Sequence, residues 1–150
     1  MPDEYEELDF IVEEEYWNEY DLVDSSRIKS RSILRKVYAD SNNPTSMVFD
    51  FNPPIIVIYA PQTNRGERNN QPRPEEYNTL PNFEVKIQNN NEKWNRYRIL
   101  KTRQEIRTKL IATEIRRIKD RYYNDGAPFY LYYSASPSVY INPMKDALRP

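Results

Sequence analysis

Opposite charges are kept apart along this chain, and that separation most narrows the folds open to it. Residues 1 to 24 hold eleven Asp or Glu and no Lys or Arg. Residues 25 to 36, "SSRIKSRSILRK", reverse the sign with five basic residues and no acid. Between Lys93 and Arg121 lie eleven more Lys or Arg against three acids, a local charge of +8 in a chain whose total is −1. A fold that kept these stretches apart would hold dense like charge against itself, so acidic and basic segments are expected to become neighbours, in cis or between chains. A nucleic-acid binder normally leaves its basic surface free and shows it in its net charge. Here the chain supplies nearly the whole countercharge itself.

The residue inventory then removes several kinds of chemistry. Without Cys there is no disulfide framework, thiolate nucleophile or thiolate metal site. Without His there is no Ser/His/Asp triad and no imidazole ligand for zinc. The two glycines, Gly66 and Gly126, lie sixty residues apart, so neither a P-loop nor a dinucleotide fingerprint can be assembled. Carboxylate, Lys, Tyr and Ser chemistry remain. Ser26 and Lys29, or Ser30, have the spacing of a Ser-Lys pair, but a solvated basic run produces that spacing by chance. Glu13, Glu14 and Glu15, or Glu75 and Glu76, could face a divalent cation, but they lack the spaced oxygens and turn glycine of a calcium loop. No catalytic residue, metal or cofactor is expected. The start, "PDEYEELDF", lacks the basic and apolar regions of a signal peptide, and the longest apolar run, "IIVIYA" at 55 to 60, cannot span a bilayer. A cytoplasmic protein with no membrane partner is the expectation.

At 150 residues the chain is long enough to bury a core without staples. Thirteen tyrosines are its commonest large apolar-bodied residues, a composition that suits interfaces as well as cores. In the acidic block Leu8, Val12, Tyr16, Tyr20 and Val23 recur at helical spacing, and Asp3 and Glu6 have capping-box spacing, so residues 1 to 24 read as a helical or extended arm that folds against something. "MVFDF" at 47 to 51 and "IIVIYA" read as strands bounded by Pro53, Pro54 and Pro61. Residues 61 to 82 read as a Pro/Asn-rich loop, "FEVKIQ" at 83 to 88 as a strand, "NNN" at 89 to 91 as a turn, and "KWNRYRI" as a returning hairpin strand. A helix is predicted at about 102 to 123, stopped by Asn124, Asp125, Gly126 and Pro128. "FYLYY" at 129 to 133 and "VYI" at 139 to 141 read as strands around the turn "SASPS". The expected fold is α+β: a small, mostly antiparallel sheet packed on one long helix, with the arm 1 to 24 preceding a single domain 25 to 150.

On that helix two apolar seams separate by about 130°. Ile106, Leu110 and Thr113 form one, joined by Ile99 if the helix begins early; Ile111, Ile115, Ile118 and Tyr122 form the other. Both seams could lie in one broad core face with Arg stems along its edges. The alternative is one seam on the protein's own sheet and one on a neighbouring subunit. From these patterns the interface is expected to use Phe10, Tyr16, Trp17 and Tyr20 of the arm, and Arg103, Arg107, Ile111, Ile115, Arg116, Arg117, Ile118 and Tyr122 of the helix. Exposed ion pairs set orientation and partner choice while the aromatics give affinity.

The function expected is a non-enzymatic structural subunit of a protein complex, homo-oligomeric and part of a larger assembly. Small armed proteins without a catalytic kit are frequent in virus particles, so by analogy a tailed-phage connector, tail or baseplate is the expected setting. The alternative is a nucleic-acid-binding accessory protein, with the helix 93 to 121 gripping phosphates, Trp94 and Tyr97 stacking on bases, and the acidic arm competing for that site.

Overall fold

Ile, Val, Tyr and Phe fill most apolar positions of this chain, and with Thr they extend its described residues into twelve strands. A computed structural model describes residues 4–142. The strands are β1 (Tyr5–Leu8), β2 (Phe10–Glu14), β3 (Asn18–Leu22), β4 (Arg27–Arg31), β5 (Leu34–Asp40), β6 (Asn43–Phe51), β7 (Ile55–Tyr59), β8 (Asn82–Glu84), β9 (Ile87–Asn91), β10 (Asn95–Ile99), β11 (Glu105–Tyr122) and β12 (Pro128–Ile141). They form three antiparallel sheets: β1-β5-β6, then β12-β11-β10-β2 with β8 also on β11, then β7-β4-β3-β9.

The α+β expectation is therefore overturned: the described residues are nearly all β and contain no α-helix. The predicted helix at 102 to 123 is β11, eighteen residues long, paired along its length with β12. Six of those eighteen residues are Ile or Thr, whose branched Cβ loses side-chain freedom in a helix and packs well on a pleated sheet. The spacing misled because residues four apart share a face in a strand as well as in a helix. Ile106 and Leu110 do share a face and are both buried. Register shifts at Lys109/Ile111 and Ala112/Glu114 then change which face later residues take, so Ile111 is exposed while Ile115 is buried. The second seam is therefore not one face: Ile111 is exposed, and Ile115 and Ile118 are buried on opposite sides of one bulged strand. The residues read as a helix stop make a hairpin turn, with Gly126 at φ 89° and its N–H donating to the Tyr123 carbonyl at 2.9 Å. "SASPS" lies inside β12 and "NNN" inside β9, and β9 and β10 belong to different sheets.

The helical option for residues 1 to 24 fails too; the described part forms β1, β2 and β3, each in a different sheet. A helix there would set its acids against one another, whereas each of these strands lies against a basic one: β1 on β5, β2 on β10, β3 on β4.

The β11–β12 hairpin, roughly 60 Å long at the usual strand rise, is the spine. Its base packs Ile106 with Tyr97, Ile99, Leu8, Leu34 and Val37, between the first and second sheets. Farther out, Ile115 and Tyr130 pack on Tyr20, Leu22 and Ile28 of the third sheet. On the opposite face of its tip, Ile118, Phe129 and Leu131 are covered by Tyr77, Leu80 and Tyr123. Tyr77 and Leu80 belong to the 61 to 82 segment, which is mostly irregular, with 3-10 turns at Gln62–Asn64 and Pro74–Glu76. This segment is clamped onto the tip. The Gly66 N–H donates to the Gly126 carbonyl at 2.9 Å, and Gly66 lies so close under Tyr122 that a Cβ there would fall 2.2 Å from the ring.

Candidate functional site

The destination of the basic charge decides which surface remains for a partner. All five basic residues of 25 to 36 meet carboxylates of the same chain: Arg27 with Asp21, Lys29 with Glu19, Arg31 with Glu15, Arg35 with Asp50 and Lys36 with Glu7. Of the eleven in 93 to 121, seven do so: Arg96, Arg98, Lys101, Arg107, Arg116, Arg117 and Arg121. The densest node surrounds Glu105, which is 8% exposed. Arg96 and Arg98 approach its carboxylate at 3.6 and 3.5 Å, the Arg107 guanidinium donates to it, and the Asn142 amide donates at 2.7 Å. Burial pushes the Glu105 carboxyl up, but the Arg107 hydrogen bond and the charges of Arg107, Arg96 and Arg98 outweigh it and hold it below the ordinary range. Glu14 is held low as well, by hydrogen bonds from Arg96 and Tyr16.

Sheet edges are the other resource for binding, because they leave backbone N–H and C=O groups unpaired. Most edges here are guarded. β1 and β2 carry Glu6, Glu7, Glu13 and Glu14, β6 carries Asp50, β8 carries Glu84, and β9 is rich in Asn. β7, "IIVIY", is different: it pairs with β4 alone among the described strands and carries no charge. β12 is an edge without charge too, and Pro137 interrupts the half nearer the base.

Between β7 and the tip half of the β11–β12 hairpin runs a cleft made of two cavities that share Ile56. One, of about 410 Å³, is lined by Ile56, Val57 and Ile58 on one side and by Gln71, Tyr123, Asn124, Asp125 and Ala127 on the other. The second, of about 360 Å³, is aromatic: Pro74, Tyr77 and Asn78 with the run Phe129 to Tyr133. Its rings are fixed from behind. The Tyr130 hydroxyl donates to Asp24 at 2.5 Å, the Tyr132 and Ser30 hydroxyls share a 2.8 Å bond, and Phe129 packs between Tyr77 and Tyr123 at ring distances of 5.3 and 4.5 Å. Burial raises the Tyr130 and Tyr132 hydroxyls and pushes Tyr123 up to about 12. These hydroxyls stay protonated near neutral pH, so the cleft presents apolar surface and hydrogen-bonding groups rather than a base.

The twelve residues expected at the interface are scattered over this framework. Phe10 meets Tyr97 edge-on at 5.7 Å, and Tyr20 is buried with its hydroxyl donating to Glu92 at 2.6 Å. The Tyr16 N–H donates to Asn95 at 2.8 Å, and Trp17 lies under Arg31. Arg103, at φ 60°, sits in the turn between β10 and β11, and Arg107 in the Glu105 node. Ile111 is 36% exposed, whereas Ile115 and Ile118 are in the core on opposite faces of β11. The Arg116 guanidinium donates to Asn82 at 2.6 Å, Arg117 lies 3.5 Å from Asp24, and Tyr122 covers Gly66. None of the twelve lines the cleft. The residues that do come from "IIVIYA", which read as a strand, from the 61 to 82 segment, which read as a loop, and from the stretch 123 to 133 around the predicted helix stop and the strand "FYLYY". Among the described residues no three acidic side chains converge as metal ligands do, and no helix is long and apolar enough to cross a membrane. No family model, curated protein or solved structure matches the chain.

Proposed function

We propose that the chain is a non-enzymatic subunit that works by binding other proteins within an assembly. The observation that carries this reading is the cleft: an uncharged edge strand beside a wall of fixed tyrosines, in a molecule whose other edges are mostly guarded by charge. The nucleic-acid reading is weaker. Seven of the eleven cations between Lys93 and Arg121 are engaged by the chain's own carboxylates, and the Lys109 ammonium lies 5.5 Å over the Trp94 ring that would stack on a base. The tailed-phage setting finds no support in the fold and is left out.

Tyr133 is 42% exposed at the aromatic cavity, so an aromatic photo-crosslinking amino acid fits there with little disturbance. Irradiation in the producing cells is expected to give a discrete adduct that resists nuclease, and the same group at Lys119 to give none. An adduct that nuclease removes, or labelling that follows Lys119 instead, overturns the reading.

A further inference from the structure

The geometry points to an extended segment of a partner protein as the occupant of the cleft, added as a strand to β7, with a bulky apolar side chain in the aromatic cavity and a Lys or Arg beside Asp125. This rests on the protein-binding reading and narrows it. Strand addition is the recognition mode that an unpaired edge offers: main-chain hydrogen bonds give affinity, and side chains at alternate positions enter the flanking pockets. β7 has that edge, with the aromatic cavity at Ile56 and the more polar one along Ile56 to Ile58.

Area favours a segment over a second globular copy. β7 has five residues, about 17 Å of edge, and two copies laid edge to edge would bury far less than the ~1,200 Å² at which stable interfaces begin. A single extended segment in the cleft instead touches β7 on one side and Tyr77, Phe129 and Tyr133 on the other.

Charge selects the sign of the segment. Among the described residues Asp125 is the only charged one lining either cavity. One of its carboxylate oxygens accepts the Ala127 N–H at 2.9 Å, which leaves the other for a guest. Arg65 and Arg68 lie beside this turn, and the Arg65 guanidinium donates to the backbone carbonyls of Ala60 and Asp125 at 3.2 and 3.0 Å, but among the described residues no cation forms an ion pair with the Asp125 carboxylate. A cation on the segment completes that carboxylate; an acid there is repelled.

The test uses the full chain and a fluorescent seven-residue probe that alternates Thr with Val and Phe, with Lys at one terminus or the other, and a matched set with Glu in place of Lys. Anisotropy is expected to show one Lys probe binding at least fivefold more tightly than its Glu counterpart. Asp125→Asn keeps the acceptor for the Ala127 N–H and is expected to erase that preference. Val57→Lys, an edge-blocking charge, is expected to remove binding while the circular dichroism stays unchanged. N-methylation of alternate amides of the probe should abolish binding in one phase and be tolerated in the other. No binding at about 1 mM probe, an unchanged Lys preference in Asp125→Asn, or equal effects of the two methylation phases overturns the proposal. A photo-adduct at Tyr133 that joins two copies of this chain also overturns it, yet leaves the protein-binding reading standing; absence of any protein adduct removes both.

Discussion

Two regions of the molecule treat sheet edges in opposite ways. At the seam of the first two sheets, β1 and β2 are short edge strands with little buried surface beyond Leu8 and Phe10, fastened to β5, β10 and the turn after β10 by Glu7–Lys36, Glu14–Arg96, Glu13–Arg98 and Glu6–Lys101. At the tip, β7 and the first half of β12 are apolar edges backed by a dense tyrosine core and bare of charge. The difference teaches where this chain spends its charges. They close one set of edges inside the molecule and are withheld from the set that is left open.

The spine is common to both regions, so the largest effect is expected from breaking it. Ile115→Asp puts a carboxylate into a site that is 1% exposed, a cost of several kcal/mol, on the order of the chain's whole stability. Both regions should lose protection together in hydrogen exchange; if the seam stays protected, the hairpin is not shared support. Leu8→Ala acts on the seam alone. It should cost about 2–3 kcal/mol in denaturant titration and free β1 while the tip stays protected.

Acid is expected to loosen the seam first, whereas alkali reaches both regions, because burial pushes Tyr97 in the seam core up to about 12 just as it raises the tip tyrosines. Glu105 and Glu14 have lowered values in the fold, so the stability they add is present above the ordinary glutamate value of 4.5 and is lost as pH falls below it. Tyr20, Tyr123, Tyr130 and Tyr132 have raised values, so their contribution is intact below the ordinary tyrosine value of 10 and is lost as pH climbs through the folded values, about 12 for Tyr123. Hydrogen exchange should therefore loosen the seam first in acid, and tyrosinate absorbance should rise late and cooperatively in alkali. Loosening of the tip first in acid would erase the distinction. The smallest effect belongs to Val57→Lys, expected at about 0.5–1 kcal/mol, because the new ammonium stays at a solvated edge although it stands across from Lys29 of β4. A larger loss of melting stability would mean that this edge is already covered.

How much of this was legible in the sequence follows from particular residues. "MVFDF", "IIVIYA" and "FYLYY" read as strands because their residues are β-branched or aromatic and bounded by proline or glycine, and they are strands. The long basic stretch read as a helix because Ile106, Leu110, Ile111, Ile115, Ile118 and Tyr122 fit a period near four, which an extended chain also satisfies, and because the bulges that shift its register leave no separate mark in composition. The cleft was illegible for another reason. β7 looks like a core strand from within the sequence, and only the placement of its neighbours determines that one edge lies open.

The sequence by itself determined the charge division, the want of His, Cys and clustered Gly, and the β-forming bias of its apolar residues, since these depend on residue identity and count. The tertiary structure decided which acid meets which base, that the meeting can occur within one chain, and which edges remain unpaired. Those outcomes rest on pairings between strands distant in sequence, and hydrogen bonding across a sheet is indifferent to chain separation once register and packing have brought two strands together.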